Sequence, residues 1–204
     1  MDIITQLTKD LEPIRRLAEQ LLSHAVETET QDDRLQISRR PSVGTEAFAV
    51  TLYLGVDDST IDRYQKIHSV EIPPDYKKIL HVLNGASIFG LNLYGIPPSM
   101  AQDPPLLDRT TIQPLDLATA NTHWRHGFTD DLSLFQIGGS PLSLEENVGY
   151  FLTAGSGVVS LKKRNHKVNA WVSMQQFLDE ELERARNQYS EFEEFMAKMR
   201  KITK

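Results

Sequence analysis

The chain has 204 residues, of which 40% are hydrophobic and 25% charged, with a net charge of −6 and no cysteine. This suits one globular domain with a real core, and it excludes disulfides, thiolate metal ligands and a cysteine nucleophile. No apolar run approaches the roughly 20 residues that cross a bilayer, and "MDIITQLTKD" lacks the basic start and apolar block of a secretory signal, so a cytoplasmic location is expected.

Residues 3–26 predict helix. Ile4, Leu7, Leu11, Ile14, Ala18, Leu21 and Ala25 recur at steps of three and four, which places them on one face. Pro13 interrupts the pattern and predicts a kink or a fresh start near residue 10, with Asp10 as cap. The polar stretch from Glu27 to Ala47, broken by Pro41 and Gly44, predicts loop around one short strand. "FAVTLYLG" (48–55) alternates apolar and other residues with β-branched and aromatic enrichment, the pattern of a half-buried strand. In "DDSTIDRYQKI", Ser59 is placed to cap a short helix that turns Ile61, Tyr64 and Ile67 inward.

"IPPDYKKILHVLNGASIFG" (72–90) is the most punctuated part of the chain. Pro73 and Pro74 fix φ at a helix start, Asp75 favours the helix dipole, and Tyr76, Ile79, Leu80 and Leu83 follow at helical spacing. Asn84-Gly85 predicts a left-handed stop, and "SIFGLNLYGI" a strand leaving it. Residues 97–131 hold five prolines and predict a long irregular region, with a helix in "LATANTHWRHGF" packing Leu117, Ala118 and Trp124. Strands are expected at 132–138, 148–154 and 157–163, the last two forming a hairpin, then a short strand or turn in "NAWVSM". Ser173 then caps a helix over 174–201, whose apolar residues repeat for more than three heptads and suit the sheet, the N-terminal helix or a second copy.

These residues resemble the SUKH superfamily of fungal cell-wall assembly regulators and bacterial toxin-immunity proteins. The similarity runs from residue 61 to about 178 and is carried by Ile72-Pro73, Tyr76, Ile79-Leu80 and Asn84-Gly85, then by Trp171, Ser173, Phe177 and Leu178. The resemblance implies an α+β domain with a mostly antiparallel sheet and helices packed against it, occupying 58–204. Residues 1–57 would be a helix and strand extension. It also implies no enzymatic activity and no cofactor: a protein that binds and neutralises a secreted toxin, often a nuclease. The alternative it leaves is a scaffold that binds an endogenous signalling or cell-wall synthesis protein.

No residues compose a convincing reaction centre. His123 and His126 stand at i, i+3 with Asp130 and Asp131 beyond, but no second ligand pair is distinctive, so no metal site is expected. "IGGS" and "AGSG" lack the context of a phosphate loop and are explained as turns. "KKRNHK" (162–167) is basic but has no interleaved aromatics, and suits a solvated hairpin end. Residues 98–160 carry seven acids against two arginines, a balance that repels nucleic acid and steers a basic protein. Asp130, Asp131, Glu145 and Glu146 are the expected contacts for a basic toxin domain. No membrane contact is expected, and the chain would act as a monomer or a homodimer through its last helix.

Overall fold

The computed structural model describes residues 3–7, 11–24, 27–31, 33–40, 47–105, 112–142 and 146–202, with backbone alone at 193 and from 195 onward. It is α+β. Nine strands follow one another in sequence order across a single sheet, every neighbouring pair antiparallel. They are β1 Thr28–Gln31, β2 Arg34–Arg39, β3 Phe48–Leu54, β4 Leu83–Ile88, β5 Leu91–Leu93, β6 Phe135–Pro141, β7 Asn147–Leu152, β8 Val158–Lys162 and β9 His166–Trp171. The sheet runs without a break across residue 57. The helices are α1 Ile3–Gln6, α2 Glu12–Leu22, α3 Asp58–His68, α4 Pro74–Leu80, α5 Leu117–Thr122 and α6 Met174–Ile202, with a 3₁₀ turn at Trp124–Gly127.

Strand register separates the two faces of the sheet. One row runs Leu35, Leu52, Ala86, Leu93, Gly138, Tyr150, Ser160 across seven strands, with Ile37, Val50, Ile88 and Leu91 beside it. This apolar face carries α2 and α6, and their own contact is braced by Arg16–Asp179 at 2.6 Å and Arg186–Gln20 at 3.2 Å. Tyr150 and Trp171 pack with Phe177 of α6, the ring centroids 4.8–6.2 Å apart. The next row runs Gln36, Thr51, Ser87, Asn92, Gly139, Gly149, Leu161 on the opposite face. That row is polar from Gln36 to Asn92 and has no side chains at Gly139 and Gly149, with Phe151 beside them on the same face.

Several local expectations change. Pro13 does start a fresh helix, α2, but Leu11 occupies the cap position; Asp10, like Pro41, Gly44 and Ala25, lies outside the described residues. The stretch after Glu27 forms two strands, not one. β3 is buried on both faces at its centre, because Thr51 and Tyr53 are covered as well as Val50 and Leu52. Asp57 caps α3 in place of Ser59: its extended backbone lets Oδ1 accept from Thr60 N at 2.8 Å, while Ser59 donates to the same oxygen. β6 begins three residues late because Asp131 closes an Asx turn over Ser133. Ser173 caps α6 as expected, accepting from Gln176 N at 3.2 Å.

The largest correction concerns Asn84-Gly85. α4 ends at Leu80, with His81 still right-handed, and both residues lie inside β4. Here β4 spends two residues against one of β3, and Gly85, at φ +88°, is the left-handed member of that bulge. A Cβ on Gly85 would stand 2.8 Å from Leu93 O. Asn84 is buried and clamps the strand exit: Nδ2 donates to Ile96 O at 2.9 Å and Oδ1 accepts from Ile96 N at 2.7 Å. The following segment is a hairpin, β4–β5, turned at Phe89-Gly90 with both residues at positive φ. Tyr76 reaches up from α4, its hydroxyl donating towards Tyr94 O at 2.6 Å and Ile137 O at 3.1 Å.

Candidate functional site

The open face of the sheet is partly roofed by the segment 117–133. Asp116 caps α5 by accepting from Thr119 N at 2.8 Å, and the buried Tyr64 donates to the other oxygen of the same carboxylate. α5 is fastened to β6 by Asn121, which donates to Gln136 O at 2.9 Å and accepts from Gln136 N at 2.7 Å. The 3₁₀ turn therefore arrives above the glycine-floored centre of the sheet. Trp124, expected to pack inside, instead stays 40% exposed and meets Tyr94 edge-on at 5.6 Å. Phe128 meets Phe151 in the same way at 6.0 Å.

Gly139 and Gly149 make this possible. A Cβ at Gly139 would stand 2.7 Å from Tyr94 Oη, and one at Gly149 would stand 2.8 Å from a Phe151 carbon and 3.1 Å from a Phe128 carbon. Beside these rings runs a cleft of about 320 Å³, with Asn92, Gln136 and Asn147 in its walls. A wider opening of about 730 Å³ shares Phe128 and Asn147 with it, and is bounded on the far side by Glu146, Lys162, Lys163 and His166. Burial pushes the Tyr94 phenol up to about 12, so it remains neutral beside the cleft.

The loop that borders the cleft is braced. Arg125 is buried, and its guanidinium donates to Asp131 O. Asp131 N donates to Thr129 Oγ1 at 3.0 Å, and Asn165 N, at the β8–β9 tip, donates to Phe128 O at 2.7 Å. Asp130 stands on this loop with its side chain 90% exposed and His126 Nδ1 at 3.0 Å. The Asp131 carboxylate is held below its ordinary range by hydrogen bonds from Ser133. Glu146 is also held low, by Lys162 Nζ at 2.6 Å. Glu145 lies outside the described residues.

Three of the four acids expected at a partner surface thus border one region, but they are not equivalent. Glu146 already has its cation, whereas Asp130 and Asp131 face outward. His126 meets Asp130, but no group of three or more His, Asp or Glu placed to hold a metal occurs among the described residues. Of the motif residues, Pro73 stands at the N-cap of α4, and Tyr76, Leu80, Asn84, Gly85, Trp171 and Phe177 serve the core or the strand exits. Among the described residues no helix is long and apolar enough to cross a membrane. Compared with known proteins, the chain matches no family model, no curated sequence and no solved structure.

The polar cluster beneath α6 was not foreseen. Tyr150 donates to Glu181, and Arg184 donates to Glu181 at 2.7 Å, to Ser140 at 2.9 Å and to Tyr150 at 3.1 Å. Burial, then the neighbouring Glu181 carboxylate, raises the Tyr150 phenol. These groups join a helix to two strands and act as a fastening. The i, i+3 spacing of Glu181 and Arg184 is the only signal of it in the sequence.

Proposed function

We propose that this chain is a non-catalytic protein-binding domain whose contact surface is the face framed by Trp124, the loop 128–133 and the β8–β9 tip. The observation that supports it is the braced loop presenting Asp130 and Asp131 beside an exposed indole. Interfaces draw their energy from such half-exposed aromatic anchors, while rim charges set the encounter rate. Bracing by Arg125, Thr129 and Asn165 means that little loop entropy remains to be lost on docking.

Together with the SUKH-like residues, this favours a cytoplasmic immunity protein that occludes a basic toxin domain by stoichiometric binding. Both sheet edges are poorly suited to strand addition. β1 is four residues long and fully exposed, and β9 carries Lys167 and an unpaired Val168 at a bulge. Docking through the face is therefore preferred.

The test is to express the chain with the open reading frame beside its gene and to measure growth and co-purification. A neighbour that kills cells alone, and is retained at equal stoichiometry by this chain, supports immunity. The double variant Asp130→Lys/Asp131→Lys should then slow association and weaken its dependence on salt. A harmless neighbour that is not retained removes the immunity reading and moves the scaffold for an endogenous signalling or wall-synthesis protein ahead.

A further inference from the structure

The wide end of the cleft has the opposite charge from the loop beside it. Lys162 is engaged by Glu146. Lys163 and His166 line the opening, with Arg164 and Lys167 exposed on the same hairpin tip. That tip is held in shape: Arg164 and Asn165 both take left-handed backbone (φ 62° and 61°), and Asn165 is tied to Phe128. At the narrow end Trp124 and Tyr94 stand over the glycine floor. Asn147, exposed at the start of β7, offers its carboxamide between the two ends, whereas Gln136 is buried in the wall.

We propose that this cleft receives an acidic, aromatic-bearing segment of the protein partner. Its carboxylates meet Lys163 and His166, and its ring lies against Trp124 and Phe128. The proposal rests on the protein-binding reading above and adds the chemistry of one partner element to it. Charge complementarity selects the acidic segment, since a basic one would face the whole hairpin tip. A carboxamide offers a donor and an acceptor side by side, as a peptide unit does, so the exposed Asn147 suits a main chain passing beside it. The cleft is also open to solvent along its length, which suits a chain segment better than an enclosed small molecule. The face as a whole is then bipolar. A partner must bring bases to Asp130 and Asp131 and acids to Lys163 and His166, and a partner with the reverse pattern is repelled at both places.

The chain contains two tryptophans, and only Trp124 faces the cleft, Trp171 being 3% exposed. The ¹⁵N-labelled full chain is titrated with an end-blocked pentapeptide alternating glutamate and phenylalanine, and with its lysine counterpart. The Trp124→Phe variant assigns the indole signal. The Trp124 indole and the amides of Phe128, Asn147 and Lys163 should move with the glutamate peptide and stay still with the lysine one. Lys163→Glu/His166→Glu should weaken the glutamate peptide about fivefold, as expected for two exposed charge contacts. Signals that ignore the glutamate peptide, or follow both peptides alike, overturn the proposal. The same double variant is tested in the co-purification above. If it retains the neighbouring product as wild type does, the cleft is not the contact, while protein binding survives. If wild type retains nothing but the glutamate peptide binds, that partner fails and the cleft assignment stands.

Discussion

Replacing Asn84 with glycine separates two roles for that residue. A helix stop would tolerate the change within a few tenths of a kcal/mol, because glycine and asparagine both accept left-handed backbone. The structure gives Asn84 a different task, with two hydrogen bonds to the backbone of Ile96 from a buried side chain. Without them a buried N–H and a buried C=O lose their partners, at about 1–3 kcal/mol each, so the loss is about 2–6 kcal/mol. For a chain of this length each kcal/mol lowers Tm by about 2–4 °C. Urea unfolding of Asn84→Gly and Asn84→Ala, followed by far-UV circular dichroism, should therefore show both variants clearly destabilised. Amide exchange at Ile96 should accelerate at the same time. An Asn84→Gly protein within about 0.5 kcal/mol of wild type, smaller than one buried hydrogen bond, would refute the clamp.

Three further outcomes follow from the packing and the titrating groups. Glu181→Ala strips Tyr150 and Arg184 of their shared acceptor, and should cost about 3 kcal/mol, against less for Glu181→Gln, which keeps an acceptor; equal losses in urea midpoints would place the effect in packing. Gly149→Ala drives a Cβ against Phe128 and Phe151 and should cost about 1–3 kcal/mol by overpacking; it should also shift the Trp124 indole signal, and an unmoved signal would uncouple the glycine floor from the cleft. Burial raises the Tyr53 and Tyr94 phenols to about 12, whereas an unfolded tyrosine titrates near about 10. Above that pH the unfolded chain binds fewer protons, so stability that is full below about 10 is lost as pH rises through the folded values. Urea midpoints that do not fall between about pH 10 and 12 would show that these phenols are not buried.

What the sequence revealed was local. The apolar period of α6 as far as Ala185, the span of β3 and the Ser173 cap each depend on residues within a few positions, and all three appear in the structure. The misread features depend on partners far along the chain. Asn84-Gly85 carries the same turn chemistry whether it ends a helix or forms a bulge; the choice is made by β3 and Ile96, which the motif does not contain. "IGGS" was legible only as a turn, since a glycine pair gives no hint that Tyr94 and Phe128 will need the space above Gly139 and its neighbour Gly149. The four acids looked alike in sequence, but only the β7–β8 pairing brings Lys162 to Glu146 and leaves Asp130 and Asp131 outward. Once pairing is known, the row Gln36, Thr51, Ser87, Asn92, Gly139, Gly149 becomes visible as one that thins to no side chain at its two glycines. A sheet needs such a row only if something else covers it. Part of that cover is the chain's own 117–133 segment, and the opening that segment leaves, aromatic at one end and basic at the other, is where a partner's chemistry can be recognised.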